Sequence, residues 1–528
     1  MVHNISLAGL PKDRSLPVFL SSVGKVFLFS LLILLLALSF TQKINLTTAD
    51  LGRHIKNGEI FFQRHQPITI NFYSFTEPDY PAINHHWLTG VIFFLIHQWG
   101  GFSGLSVFYT LIFLCTFYFF FDTARKNSNF YYALFFSLVS LPLILSRREI
   151  RPEGLTCFFM GFYFWLLWKF KRKEGGYELL WLIPLAQVLW VNSHILFILG
   201  ILIVWIFVAD AWMNETDRSV RGRYLLLGIA TVLVCFLNPF GLKGVLTPLT
   251  IFKEYGYMIA ENQSVFFMQK RFPQNPLYWQ FEIRFVICLV SFILVCRRPG
   301  FKKNFLNVSL LLCFGVLAWK AVRSIQMFGL LFIPLTAGNL YIFLERSASK
   351  FKTTINKLFL FFSILILFSG ITVERFPSLR NPRRLLGLMP GVNRSAEFFK
   401  RNKIEGPIFN NYDIGGYLIY HLFPRERVFV DNRPEAYSVS FFKDVYVPMQ
   451  ESEDVWEKME ERYQFNVIYF FRHDMTPWAQ PFLIRRLKDP HWSPVFVDDY
   501  TILFLKRSEK NAPLIKGYEL PAGIFRIE

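Results

Sequence analysis

Between positions 48 and 59 the chain reads Thr48-Ala49-Asp50-Leu51-Gly52-Arg53-His54-Ile55-Lys56-Asn57-Gly58-Glu59. If this stretch is helical, Asp50 and His54 stand four residues apart on one face. A carboxylate so placed can take a proton from a substrate hydroxyl, with His54 as its hydrogen-bond partner or as a metal ligand. The same aspartate also suits the first turn of a helix, where it would cap free N–H groups and answer the helix dipole. Spacing alone leaves both readings open.

Three further groups could handle an anion or an acceptor. Asn84-His85-His86-Trp87 offers two adjacent imidazoles. Neighbouring side chains face different ways, so the pair makes a poor metal site and fits a hydrogen-bonding role at a membrane surface as well as a phosphate contact. Arg147, Arg148, Glu149 and Arg151 form a basic knot, and Lys320 with Arg323 forms another. Guanidinium grips phosphate oxygens through its planar fork, while lipid headgroups would attract the same charges without any pocket. His194, in Val191-Asn192-Ser193-His194, stands at the mouth of a helix, where capping or burial accounts for it as readily as ligand binding. Asp431-Asn432-Arg433 allows either a turn held by an Asp–Arg pair or acceptor recognition.

The elements that must position these residues are membrane helices. Of 528 residues, 53% are hydrophobic, 18% aromatic and only 18% charged, against about 25% charge in an average soluble domain. The apolar residues gather into runs such as KVFLFSLLILLLALSF, which a soluble surface could not carry. Segments long enough to span lie near 24–42, 103–121, 130–146, 154–169, 177–191, 195–213, 224–240, 282–296, 304–320, 325–345 and 357–374, about eleven in all. The run from His86 to Trp99 is too short to cross and reads as an interfacial helix with a tryptophan near each end. The first run lacks a cleavage pattern and reads as a retained helix.

With the N-terminus inside, the inner loops 122–129, 169–176, 214–223, 297–303 and 346–357 carry 17 Lys and Arg, and the short outer loops 147–153, 192–194 and 320–324 carry 5. This positive-inside bias accounts for the formal charge of +19 without nucleic acid. The division expected is a cytoplasmic stretch 1–23, a membrane domain 24–374 with outer loops 43–86 and 241–281, and a soluble outer domain 375–528. That last part alternates strand and helix through GPIFNN, GGYLIYHLF, RVFVDNR, EDVWEKMEERY and NVIYFF. It ends in a hairpin, PVFVDDYTILFLK, turning at Asp498-Asp499. The fold class is thus a polytopic α-helical membrane protein with a C-terminal extracytoplasmic α/β domain. All six cysteines lie in apolar runs, so no disulfide framework or CxxC metal site is expected.

These residues, in this order, resemble the bacterial membrane glycosyltransferases of the type C superfamily (GT-C), related to the protein O-mannosyltransferases and arabinosyltransferases that use polyprenyl-phosphate sugars. The resemblance covers most of the chain. It rests on Asp50-x3-His54-x3-Gly58-Glu59 followed by NFYSFT and NHHWL, on REIRPEG, LWVNSH and NPFG, and on NNYDIGGYLIY and VFVDNRPEAY in the tail. It implies an enzyme of the bacterial inner membrane that moves a sugar from a polyprenyl-phosphate donor to an extracytoplasmic glycan, lipid or protein. Asp50 matches the position of the base. In-line attack would invert the anomeric carbon, with Arg151 and Arg323, among Arg147, Arg151, Lys320 and Arg323, stabilising the leaving phosphate. Substrate contacts would fall to His85, His86, His194, Asp431 and Arg433. Where related sequences carry further acidic residues, this chain has Thr48, Asn71 and His86. No metal is then required, although Mg or Mn stays compatible, and a non-catalytic relative would share the same losses. The rival classes are a transporter or flippase, which would place ionisable groups at mid-membrane, and an anchored scaffold, which would not need so many spans.

Overall fold

In lipid every backbone N–H and C=O must find its partner within the chain, so membrane segments are helical. The computed structural model describes residues 20–48, 50–250, 254–296, 301–344, 347–372 and 386–525. The expected boundary at 375, and most of the stretch 1–23, lie outside them.

The membrane part runs α1 (Ser22–Phe40), α2 (Leu51–Arg64), α3 (Trp87–Asn127), α4 (Phe130–Ile144), α5 (Glu153–Lys171), α6 (Leu182–Ser193), α7 (Ile198–Asn214), α8 (Arg218–Leu233), α9 (Gly241–Leu246), α10 (Val265–Arg271), α11 (Leu277–Cys296), α12 (Phe301–Lys320), α13 (Ile325–Leu344) and α14 (Ser349–Thr372). Side-chain caps set several starts: the Ser21 hydroxyl accepts from Gly24 N–H, and Asn129 accepts from Tyr131 and Tyr132 N–H. Among the described residues seven stretches are long and apolar enough to cross a bilayer: Ser22–Phe40, Trp87–Asn127, Ile195–Asn214, Arg218–Phe236, Leu277–Cys296, Val322–Leu344 and Ser349–Ser369. Phe130–Ile144 and Asn304–Lys320 are apolar and shorter. The chain is a multi-pass membrane protein. The interfacial helix expected at 87–99 is not separate. It runs into the following span through a bend at Gly101 (φ 58°, ψ −156°), a conformation that only glycine adopts without strain.

The tail forms α15 (Arg394–Arg401), β1 (Ile408–Asn410), α16 (Gly415–Leu422), α17 (Glu453–Tyr463), β2 (Val467–Phe471), α18 (Ala479–Lys488), β3 (Trp492–Val497), β4 (Thr501–Lys506) and α19 (Ala512–Tyr518). Its sheet has the order β1-β2-β4-β3, with β1 parallel to β2 and the rest antiparallel. The expected hairpin is β3–β4. Asp498 Oδ1 accepts N–H bonds from Tyr500 and Thr501, both at 2.8 Å, which closes the turn. Phe409, Phe429, Trp456, Phe465 and Phe482 fill the core over the sheet.

The segment RVFVDNR does not join that sheet. Its backbone is taken by the first outer loop instead: Val428 N–H donates to Tyr73 O (3.1 Å), Phe75 N–H donates to Val428 O (3.2 Å), and Ser74 and Thr76 hydroxyls donate to Phe429 O. Further along, Ser438 N–H and Oγ each bond Glu77 at 2.7 Å. The soluble domain is thereby stitched to the loop that carries Asp50.

Helix α2 is wedged between the two parts. A Cβ at Gly58 would overlap the Gly90 carbonyl on α3, and one at Gly52 would stand 2.8 Å from Tyr420 Cβ and 3.0 Å from Gly416 O on α16. Gly58→Val should therefore lower the thermal midpoint of the purified protein, by about 1–3 kcal/mol or more from overpacking. Gly100→Ala, with nothing within 4 Å of the added atom, should leave it unchanged or raise it. Equal midpoints for the two variants would refute this account of where α2 sits.

Candidate active site

Asp50 occupies the N-cap of α2, yet its side chain makes no capping hydrogen bond. It turns instead to the soluble domain. Asn432 Nδ2 donates to Asp50 Oδ1, Arg53 Nε donates to Asn432 Oδ1 (3.1 Å), and Arg53 lies 3.7 Å from Asp50 Oδ2. Because Asn432 Oδ1 faces a guanidinium, which can only donate, its amide N–H₂ must face Asp50. Burial raises the Asp50 pKa above its ordinary value, with Arg151 and Arg53 opposing. A carboxylate held this way is a stronger base than a solvated one and is oriented by the Asn432 amide, with the Arg53 charge nearby.

Asn432 is itself fixed from both sides. Asp431, fully buried, accepts from Arg433 Nε (2.8 Å) and Nη2 (2.7 Å), and Arg433 also donates to Asn71 (2.6 Å) beneath the Tyr73 ring. The Asp–Arg turn read from sequence is thus present, and the residue between its two members reaches the carboxylate.

Two cavities meet at Asp50. The first, about 380 Å³, is lined by Asp50, Arg53, His54, His85, His86, Glu153, His194, Glu261, Arg323 and Asn432 among others. His54 packs edge-on against His86 (5.4 Å between ring centres), which lies 5.0 Å from His194. His54 is only 2% exposed, and its Nδ1 has no hydrogen-bond partner among the described residues. It shares a helix face with Asp50, but between them only a backbone bond forms, His54 N–H to Asp50 O. Trp190 Nε1–H donates to Thr156 Oγ1 (3.0 Å), whose hydroxyl then donates to His194 Nδ1 (2.7 Å), leaving the ring proton on Nε2. Burial lowers His54 and His86 well below the ordinary histidine value and brings His85 and His194 to about 4, so all four imidazoles are neutral at pH 7.

Arg147, Arg151 and Arg323 form one cluster with two acids that the sequence did not single out. Glu261 accepts from Arg147 (2.8 Å) and Arg151 (3.1 Å) and lies 3.5 Å from Arg323. Glu153 pairs with Arg323 and, at 3.5 Å, with Arg147. Burial would raise Glu261, but Arg147, Arg323 and Arg151 outweigh it and hold the carboxyl at about 2. Three guanidiniums share the buried Glu153 and the half-buried Glu261, and the buried Arg323 Nε has no partner among the described residues.

The remaining sequence candidates divide. His85, His86, His194 and Arg323 line the first cavity, Arg151 lines the second, and Asp50 lines both. Arg147 stands behind in the cluster, and Lys320 is exposed at the end of α12, outside either lining. Asp431 and Arg433 lie beneath the site. Sequence reasoning missed Arg53, Glu153, Glu261 and Asn432. Arg53 and Asn432 sit inside motifs that were quoted, whereas Glu261 stands in a loop with no pattern around it.

Among the described residues no group of three or more His, Cys, Asp or Glu is arranged to hold a metal ion. Asp50 accepts an N–H bond from Asn432 and faces the Arg53 charge where a divalent cation would need oxygen ligands. These residues do not fit a cation, and no step is derived through one.

No protein-family profile matches the sequence, and no curated protein matches it. Solved structures do. The oligosaccharyltransferase AglB from Archaeoglobus fulgidus, in complex with an inhibitory peptide and a dolichol-phosphate, aligns over 90% of this chain and 73% of its own with a TM-score of 0.57 at 11% identity. ArnT from Cupriavidus metallidurans aligns over 94% and 99% (TM-score 0.53, 12% identity) and has also been solved with undecaprenyl phosphate. The arabinofuranosyltransferase AftD from Mycobacteria aligns over 93% of this chain and 40% of its own (TM-score 0.52, 15% identity). The likeness is one of fold: this chain has the architecture shared by these type C membrane glycosyltransferases, as the resemblance in its sequence implied.

Asp431→Ala should leave the Arg433 guanidinium buried without its counter-charge and cost about 3–5 kcal/mol, read as a large drop in the denaturation midpoint. A change below about 1 kcal/mol would mean that the pair does not hold this segment in place.

Proposed function

We propose that the chain is a membrane glycosyltransferase that moves a sugar from a polyprenyl-phosphate carrier to an extracytoplasmic acceptor, with inversion at the anomeric carbon. The observation that carries this reading is the Asp50 carboxylate, raised in basicity and held by Asn432 at the junction of two cavities. In the reaction an acceptor hydroxyl attacks the anomeric carbon. Its proton passes to Asp50, and the bond to the phosphate oxygen breaks with its electron pair on the leaving polyprenyl phosphate. The first cavity suits the donor. Arg323 and His54 line it, each with a buried nitrogen that has no hydrogen-bond partner among the described residues, and Leu242, Leu246 and Leu249 are exposed beside the cavity residues Thr247 and Thr250. An isoprenoid chain could lie along those leucines with its phosphate turned inward. Arg323, with Arg151 behind Asp50, would meet the charge that develops on the leaving oxygen. The carriers named with AglB and ArnT, a dolichol-phosphate and undecaprenyl phosphate, agree with this class of donor.

The arrangement we infer has eleven crossings in the inner membrane of a bacterium, made by α1, the second part of α3, α4 to α8 and α11 to α14. The N-terminus is cytoplasmic, and the domain from about 375 is outside. The charged loops support it, as do Asp122 and Asp210, which pair with Arg125 and Lys171 at the inner ends of their helices. A transporter would instead string such groups along a path through the bilayer.

Purified protein should transfer radiolabelled sugar from one of a panel of polyprenyl-phosphate sugars to membrane extract. Asp50→Asn should lower the rate by about 10²–10⁴-fold with folding intact. Because the base must be ionised and its pKa is raised, activity should fall on acidification at a higher pH than a free aspartate would give. Transfer unaffected by Asp50→Asn would remove Asp50 from the mechanism.

A further inference from the structure

The second cavity, about 430 Å³, lies on the other side of Asp50 and Asn432, between the outer loop that ends in α10 and the soluble domain. Its walls differ in kind from those of the first. Tyr257 stacks on Tyr412 (4.5 Å between ring centres, 30°), and Trp478 stands 6.2 Å away at 62°. Half-buried Asp413 forms no hydrogen bond or ion pair among the described residues. Burial, with Asp474 and then Asp50 adding to it, brings Asp413 to about 7, so it can donate as well as accept.

We propose that this cavity is the acceptor subsite and that it takes a carbohydrate, its ring seated against the Tyr257, Tyr412 and Trp478 rings and its hydroxyls bonded to Asp413. The word acceptor rests on the glycosyl-transfer reading; the carbohydrate site does not. Aromatic faces carry negative charge density that attracts the positively polarised C–H groups of a sugar ring, and a carboxyl group beside them bonds hydroxyls and fixes orientation. A peptide is disfavoured. The strand end that reaches the cavity, Phe471, has its N–H and C=O already bonded to the Asn411 side chain (2.9 and 3.2 Å), so no free backbone edge is offered for an extended chain. A second phosphate is disfavoured by Asp50, Asp413 and Asp474, since Arg151 is already paired with Glu149 and Glu261 and Arg271 donates to Met475 O (3.0 Å); a cationic ligand is distinguished by the tetramethylammonium control below. A hydroxyl held near Asp413 would face Asp50 from the side away from the histidines, as in-line displacement of a donor in the first cavity requires.

The test needs no turnover. Full-length protein in nanodiscs is titrated by saturation-transfer NMR with methyl hexopyranosides and methyl arabinofuranosides, with tetramethylammonium as a cationic control. At least one glycoside should bind, and Asp413→Asn and Trp478→Ala should each weaken it by about tenfold or more, while undecaprenyl phosphate binds both variants as it binds wild type. Asp413→Asn keeps size and shape, so its loss of binding does not depend on whether Trp478→Ala folds. Binding only of tetramethylammonium, no glycoside binding, or equal binding by wild type and Asp413→Asn would overturn the proposal. Glycoside binding lost in Asp413→Asn by a protein that transfers no sugar would sustain the carbohydrate site and remove the transfer reading alone.

Discussion

The contact between Asn432 and Asp50 joins the two halves of the molecule at the point where chemistry is available. A buried carboxylate is costly unless donors surround it. Asp50 has a hydrogen-bond donor in Asn432, 382 positions away, and the Arg53 charge of its own helix 3.7 Å distant. The rest follows as support. Asp431 and Arg433 hold Asn432, Asn71 and Tyr73 hold Arg433, and the backbone of 73–75 pairs with Val428 so that all three stay in register. Each layer is rigid because the next is buried and hydrogen-bonded, which is what keeps a site within fractions of an ångström.

Charge around the site is handled by mutual neutralisation rather than by solvent. Arg147, Arg151 and Arg323 would repel one another at these depths without Glu153 and Glu261 between them. The result is a dense, mutually paired cluster with few free donors, which under the proposed transfer would stay fixed while a phosphate arrives or leaves. Such preorganised charge stabilises a leaving group without having to reorganise during the reaction. The neutral histidines beside it add polar ring edges without adding repulsion.

Much of this was legible in the sequence, and for physical reasons. Long apolar runs report the bilayer directly, because nothing but lipid tolerates them. Asp50 was legible because an acidic residue in an outer loop, four positions before a histidine, is a short-range pattern. The strands of the soluble domain were legible where β-branched and aromatic residues alternate with turns, but RVFVDNR has that same composition and is claimed by the loop at 73–75, a partner some 350 residues distant. Glu261 and Glu153 were not legible. Glu261 joins arginines more than a hundred residues away, and Glu153, though six residues from Arg147, pairs with Arg323 across 170 residues, which no local spacing encodes.

The position of Asp50 also explains why a soluble domain is packed on the membrane part. Under the proposed transfer, a base that faced only the membrane helices would have a donor cavity and no wall against which to hold an acceptor. The soluble domain supplies that wall through Tyr412, Asp413 and Trp478, and the donor to the base through Asn432. Both come from the loops that follow β1, β2 and α16, at one end of the sheet, so a rigid β scaffold carries them on adaptable connections. On the proposed reading, changing those loops would alter what is bound in the second cavity while the membrane helices, the arginine cluster and the first cavity stay as they are. One helical framework can in this way serve different acceptors, with the selection made by a few side chains outside the bilayer.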